Sequence, residues 1–291
     1  MDPTTDKRSN ILWKLQNIDR RILYLLLLVV VAIPVLWPVT MPNAIDPMSE
    51  SLWKTVDATP PDKIILLSST WSKATRGENG GQTRALLEHM MSRRIRFALS
   101  SFTAPGAQVI LDIVREMAPR FDYVYGRDWV HLGFQASANN FVKGINADFR
   151  KTVRQDFVEK RPLDAFAVME GVRSIDDVHM VIEISAAATH MVWMQFIKPG
   201  VLVGFCPTSV MAPESLPYYS SRQLAGVLWG AKGAYDYEQL NVRNGTGTYG
   251  MGRQYMAPLS AAFALVILSI TIGNVAMFLS RPGIGRGGTA S

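Results

Sequence analysis

The side chain with the clearest chemical potential is Glu183, which interrupts the apolar run HMVIEIS between His179 and Ser185. On a strand, alternate side chains share a face, so Glu183 sits on the same side as Ser185. A carboxyl group inside a covered sheet is costly to ionise unless paired, and such a group can act as a general base or grip a ligand. The structural alternative is a sheet-edge position or an Arg partner. Hydroxyls recur where other apolar runs end, at Ser68-Ser69-Thr70, at Ser100-Ser101 and at Thr208-Ser209 after Cys206-Pro207. Ligands of open α/β sheets lie beyond the carboxyl ends of the strands. Ser69, Ser101, Glu183, Ser185 and Thr208 therefore form the candidate ligand-binding set. Ser and Thr are also common turn and N-cap residues, which is the competing explanation.

Other chemistries find less support. The segment Arg76-Gly77-Glu78-Asn79-Gly80-Gly81-Gln82-Thr83 lies where phosphate loops occur, but Arg76 and Gln82 stand where a Walker motif needs Gly and Lys. It reads as an exposed, flexible loop. The histidines, His89, His131, His179 and His190, form no HExxH or Cys/His cluster, so no metal site and no cofactor is expected. Cys206 is the sole cysteine, which excludes an internal disulfide, and no G-x-S-x-G elbow exists. No catalytic residue is assigned.

The elements that must position these residues alternate between strand-like and helix-periodic segments. KIILLS from Lys63, RFALSS from Arg96, HMVIEIS from His179 and VLVGFC from Val201 read as buried strands. A strand pair is expected at 122–125 and 130–134. Helices are expected at 82–93, 107–117, 139–159, 189–197 and 221–240, the last closing the domain. Strands alternating with crossover helices imply an α/β fold, a Rossmann-like three-layer sandwich with a mainly parallel sheet. Ahead of it, MSESLWKTVDA predicts a short amphipathic helix with a Ser N-cap, either on a membrane surface or docked on the domain.

This domain is inserted between two predicted transmembrane helices. Ile22–Val39 and Met256–Ser280 are uncharged runs, and about 20 residues suffice to cross a bilayer. Lys7, Arg8, Lys14, Arg20 and Arg21 precede the first, while Arg281 and Arg286 follow the second, so both termini read as cytoplasmic. The expected divisions are a basic N-terminus at 1–21, a first span at 22–39, a juxtamembrane segment at 40–62 and the extracytoplasmic domain at 63–240. A Gly-rich link at 241–255, a second span at 256–280 and a cytoplasmic disordered tail at 281–291 complete the chain. The net charge of +6 resides mostly in the membrane flanks, which argues against a nucleic-acid partner.

Two glycine patterns point to close packing. Ser269 and Gly273 form a small-x-x-x-small pair in the second run, with Asn274 as a polar neighbour. Gly226, Gly230 and Gly233 would line one face of the predicted closing helix. Over roughly residues 48–240, MSESLWKTVDATPPDKIILLSS, DWVHLGF, VMEGVRSIDDVHMVIEISAA and the closing segment resemble a family of bacterial membrane-anchored α/β proteins with no assigned activity. In that closing segment Tyr218, Gln223, Gly226, Gly230, Gly233, Tyr235 and Glu238 carry the likeness. The resemblance implies a bacterial origin and a membrane setting, and transfers no catalytic residue.

The expected function is a non-enzymatic, membrane-anchored subunit of a larger complex. Its partners are the lipid bilayer and other membrane subunits or further copies of itself, with the domain periplasmic or extracellular. A small-ligand-binding or sensory domain is the alternative, and a hydrolase built on Glu183 or His131 a third.

Overall fold

A computed structural model describes residues 18–37, 40 and 43–280. The chain divides into two compact units, Met41–Tyr255 and a second unit made of the segments before and after it. The basic residues Lys7, Arg8, Lys14, Arg281 and Arg286 and the expected tail lie outside the described residues.

The larger unit is built on a six-stranded, all-parallel sheet in the order β3-β2-β1-β4-β5-β6. Its strands are β1 (Ile64–Thr70), β2 (Phe97–Ser101), β3 (Trp129–Phe134), β4 (Val178–Ser185), β5 (Leu202–Pro207) and β6 (Gly226–Val227). This is the doubly wound, Rossmann-like order, whose direction of winding reverses between β1 and β4. The seven residues of β1 (IILLSST) are all buried, as a parallel strand covered on both faces requires.

One face packs on α2 (Pro47–Asp57), α3 (Gly81–Ser92), α4 (Ala104–Met117) and α9 (Gly230–Arg243), with Leu52, Leu86, Ile110 and Tyr237 among its buried side chains. The opposite face packs on α5 (Ala138–Ala147), α6 (Phe149–Thr152) and α7 (His190–Phe196), through Phe141, Ile145, Phe149 and Trp193. Helix α8 (Ala212–Ser220) precedes β6.

Several sequence expectations are corrected. The juxtamembrane helix α2 begins at Pro47, capped by Asp46 rather than by a Ser. It is part of the core: Leu52 is fully buried, and Trp53 Nε1 donates to Asn241 Oδ1 at 2.8 Å. The span 139–159 is no single helix. Asp148 breaks it, accepting from the backbone of Arg150 and Lys151 to cap α6. Of the expected 122–125 strand only an isolated bridge from Tyr125 to Trp129 remains.

The supposed glycine face does not exist either. Gly226 lies in β6, Gly230 opens α9 with φ +50, and only Gly233 is inside that helix. The glycines still mark close approaches. A Cβ on Gly226 would fall 2.6 Å from Leu52 Cα, and one on Gly233 2.7 Å from Leu228 Cα.

The Gly-rich link is likewise structured. Helix α9 runs through Arg243, Thr246 N donates to Asn241 O at 2.8 Å, and Thr248 Oγ1 donates to Glu88 Oε1 at 3.0 Å. The next helix, α10 (Met251–Ser280), starts five residues ahead of the uncharged run, and Glu238 caps it by accepting from Gly252 N and Arg253 N at 2.7 and 2.9 Å.

Helix α10, whose first turn belongs to the larger unit and whose remainder to the second, is the one helix among the described residues long and apolar enough to cross a membrane. The first apolar run forms α1 (Arg20–Leu36), 17 residues with Pro34 inside, and its outer side chains such as Leu25, Leu28 and Leu36 are exposed.

Because Gly226 meets backbone atoms of α2 rather than a flexible side-chain tip, Gly226→Ala is expected to lose about 2 kcal/mol of stability. Chemical denaturation of the detergent-solubilised chain measures this. An unchanged midpoint would mean that α2 does not seat on β6.

Candidate functional site

The strand exits are where a ligand of this fold would sit, and the register decides which side chains share that place. Ser100 pairs with Ser68, Ser68 with Glu183, and Glu183 with Phe205, giving one row across β2, β1, β4 and β5. The same face carries Thr70 beside Ser185 one period further on. This row lies at the reversal of strand order and is covered by α7.

Glu183 is fully buried and occupies an interior strand, so neither structural alternative, a sheet edge or an Arg partner, applies. Among the described residues it has no ion pair. Thr189 Oγ1 donates to its Oε1 at 2.7 Å and Trp193 Nε1 to its Oε2 at 2.8 Å. Burial raises its pKa, against the opposing pull of hydroxyl and indole donors from Ser68, Thr189, Thr70 and Trp193. Ser68 Oγ nonetheless reaches no partner with hydrogen-bond geometry, and neither does Ser100 Oγ.

His190, on α7 next to Thr189, is fully buried with both ring nitrogens unpartnered. Its ring stacks on Phe205 at 4.1 Å and meets Tyr218 edge-on at 5.3 Å. Burial lowers its pKa, with Glu214 opposing. A buried polar group left unpaired costs about 1–3 kcal/mol, so Ser68, Ser100 and His190 together are a concentrated deficit in one place.

The hydroxyls selected from sequence are divided by this geometry. Ser69 and Ser101 point to the α3/α4 face, away from Glu183. Both are fully buried, Ser101 Oγ donating to Ser69 O at 2.6 Å and Ser69 Oγ to Gly106 O at 3.4 Å. Ser185 shares the face of Glu183 but donates to Thr70 O at 3.1 Å, and the Thr208 backbone N–H donates to Ser185 O at 3.3 Å. These groups tie neighbouring strand exits together. Ser68 and Ser100 escaped selection because the relative register of β1, β2 and β4 is invisible before the strands are paired.

The segment 76–83 is corrected from exposed loop to buried latch. It forms a π-turn, Arg76–Gly80, leading into α3, with Asn79, Gln82 and Thr83 fully buried. Gln82 Nε2 donates to the carbonyls of Pro207 and Leu228 at 2.9 and 2.8 Å, and Glu78 Oε2 accepts from Ser209 N and Oγ at 2.6 and 2.7 Å. The turn that presents N–H groups to phosphate in nucleotide-binding proteins of this architecture is here filled by the protein's own side chains.

His131 is equally closed: Nε2 faces Ala107 O at 2.9 Å and Nδ1 accepts from Gly133 N at 2.8 Å. His89 bonds Tyr237 Oη and Asp57 Oδ1 at 2.8 and 3.1 Å beneath a stacked Trp53. Burial lowers both histidines to about 4. Cys206 is buried with its thiol pushed well up. No group of three or more His, Cys, Asp or Glu poised for a metal occurs among the described residues.

A surface groove of about 500 Å3 runs between α3, α4 and the first turn of α10, lined by Arg76, Arg84, Arg120, Glu88, Glu116 and Glu238. Its charges balance, and Arg84 already holds Glu116 in a two-point contact at 2.9 and 2.6 Å. Neither family models, curated proteins nor solved structures match the chain.

Two outcomes test this site. Ser100→Ala removes an unpaired hydroxyl and is expected to leave the melting temperature unchanged or raised, whereas deleting a made hydrogen bond loses about 1 kcal/mol. Since folding raises the Glu183 pKa, its contribution is present below the ordinary carboxyl value of 4.5 and lost as pH rises through the folded value. Glu183→Gln is therefore expected to flatten the decline in stability as pH rises above 4.5; parallel curves would contradict a buried, proton-holding carboxyl.

Proposed function

We propose that the chain is a non-enzymatic subunit of a larger membrane complex, anchored by both α1 and α10 with its termini in the cytoplasm. In this reading the α/β domain lies on the outer side of a bacterial cytoplasmic membrane and serves as a docking or stabilising module. The family resemblance and the basic residues flanking the apolar runs support the setting.

The observation that carries the reading lies in the smaller unit. A groove of about 530 Å3 is lined by Leu23 and Leu26 of α1 and by Leu265, Leu268, Ser269 and Gly273 of α10. A Cβ added at Gly273 would meet nothing within 4 Å, and Ser269 turns its hydroxyl back onto Leu265 O at 2.8 Å. The small-residue face therefore stands open rather than packed, and Asn274 beside it is exposed. An apolar groove floored by Ser and Gly with an adjacent amide suits a partner helix, which gains close packing and an interhelical hydrogen bond.

The domain contributes stability to such an anchor. The first turn of α10 belongs to the folded unit, where Glu238 caps it and Gly252 lies against α9 with room for no side chain: a Cβ there would fall 2.7 Å from Ala234 C.

Solubilisation of native membranes in mild detergent, followed by native mass spectrometry, tests the proposal. The chain is expected in an assembly well above its own 32.3 kDa. Gly273→Leu, which fills the groove, is expected to weaken assembly at least tenfold, about 1.4 kcal/mol, while leaving the melting of the domain unchanged. A lone monomer for the wild-type chain would overturn the reading.

A further inference from the structure

We infer that the row Ser100–Ser68–Glu183, with His190 above it, is a closed binding site for a small uncharged ring bearing hydroxyl groups, and that α7 is its displaceable cover. This goes beyond the anchoring role and stands on different residues.

The location is the first argument. The row lies at the carboxyl ends of β2, β1 and β4, at the reversal of strand order where open α/β sheets hold their ligands. The second is the unmet bonding. The Ser100 hydroxyl and the His190 imidazole, both fully buried, reach no partner, the Ser68 hydroxyl has only the Glu183 carboxyl beside it and not at hydrogen-bond geometry, and all belong to or overlie this one row. Buried polar groups are ordinarily paired, so a cluster of orphans marks a place where a partner is absent.

The third is what fills the place now. The Trp193 indole donates its N–H to Glu183 at 2.8 Å, with Phe102 tilted against its ring at 5.4 Å and Phe141 edge-on at 6.3 Å. A ring between aromatic walls, with one donor aimed at a carboxyl, is the outline of the ligand that would replace it. Neither a Lys nor an Arg pairs with Glu183, so nothing in the row neutralises an anion. Hydroxyls that both donate and accept, beside a carboxyl acceptor, match a sugar or cyclic polyol.

The cover is short, and apart from the buried Trp193 ring its polar ties are few. Helix α7 has seven residues. Its polar ties are the Thr189 and Trp193 bonds to Glu183 and the Asn146 amide bonded to Phe196 O at 2.7 Å and to Lys198 N at 3.1 Å; Val192, Met194 and Phe196 pack on the core only partly buried. Gly200, with φ +94, follows it and permits the chain to turn away before β5.

The buried histidines provide a test within one molecule. His89, His131 and His190 are all fully buried, but only His190 sits on α7. The full chain in detergent at neutral pH is treated with diethyl pyrocarbonate, and modification is read residue by residue by mass spectrometry. His190 is expected to react at least tenfold faster than His89 and His131, whose exposure requires unfolding of the core. Among D-glucose, D-ribose and myo-inositol as probes, at least one is expected to slow His190 modification threefold or more. Ser68→Ala combined with Ser100→Ala is expected to abolish that protection while preserving the melting temperature; Ser100→Ala alone serves where the pair does not fold. His190 reacting no faster than His131 would overturn the cover, and protection by none of the three, or protection surviving the substitutions, would overturn the site.

Discussion

An all-parallel sheet must be covered on both faces, and most features of this protein follow from that constraint. Parallel strands need crossover helices, and here these leave no open sheet surface on which chemistry could be exposed. The cover extends to α2, which would otherwise be a tether. Leu52 packs against β5 and β6 at Gly204 and Gly226, positions where a side chain would collide with it. The domain therefore begins ahead of β1, and α2 is a structural part of it. At the other end, the carboxyl of Glu238 holds the first turn of α10 inside the same unit.

The same enclosure sets the electrostatics. Glu183 lies on an interior strand with neutral donors in place of a cation, so desolvation dominates and its proton is held more tightly than in water. Around it the Ser100 hydroxyl and the His190 ring reach no partner and Ser68 faces only the Glu183 carboxyl, while Ser69 and Ser101 on the opposite face each bond a backbone carbonyl. Both faces hold unpartnered buried atoms, indole nitrogens of Trp71 and Trp129 on one and the Ser100 hydroxyl and His190 ring on the other, so the difference lies in the hydroxyls rather than in the faces as wholes. That contrast separates a role in holding strands together from a role in holding a ligand.

The alternation of strands and helices was legible from apolar runs bounded by Ser, Thr and Gly, and so was the parallel sheet that alternation implies. Glu183 was legible as an anomaly within HMVIEIS. The hydroxyls that accompany it were not, because Ser68 and Ser69 are equally plausible until the register fixes which faces β4. Local composition also misled in two places. GENGG and NGTGTYGMG look flexible, yet long-range contacts order both: Asn79 and Gln82 bind the exits of β5 and β6, and Thr248 binds Glu88. The closing glycines looked like a helix face because their spacing is helical, but a strand intervenes where Gly226 must admit Leu52.

The functional account rests on the domain being held outside the membrane by two spans, and cysteine labelling tests that most directly. The wild-type chain is its own blank, since its sole cysteine, Cys206, is buried with a thiol pKa pushed well up. Val210, 85 % exposed, accepts a reporter as Val210→Cys. The account predicts that a membrane-impermeant maleimide labels this variant in intact cells, or in spheroplasts where an outer membrane intervenes. Labelling only after the cytoplasmic membrane is broken would contradict it.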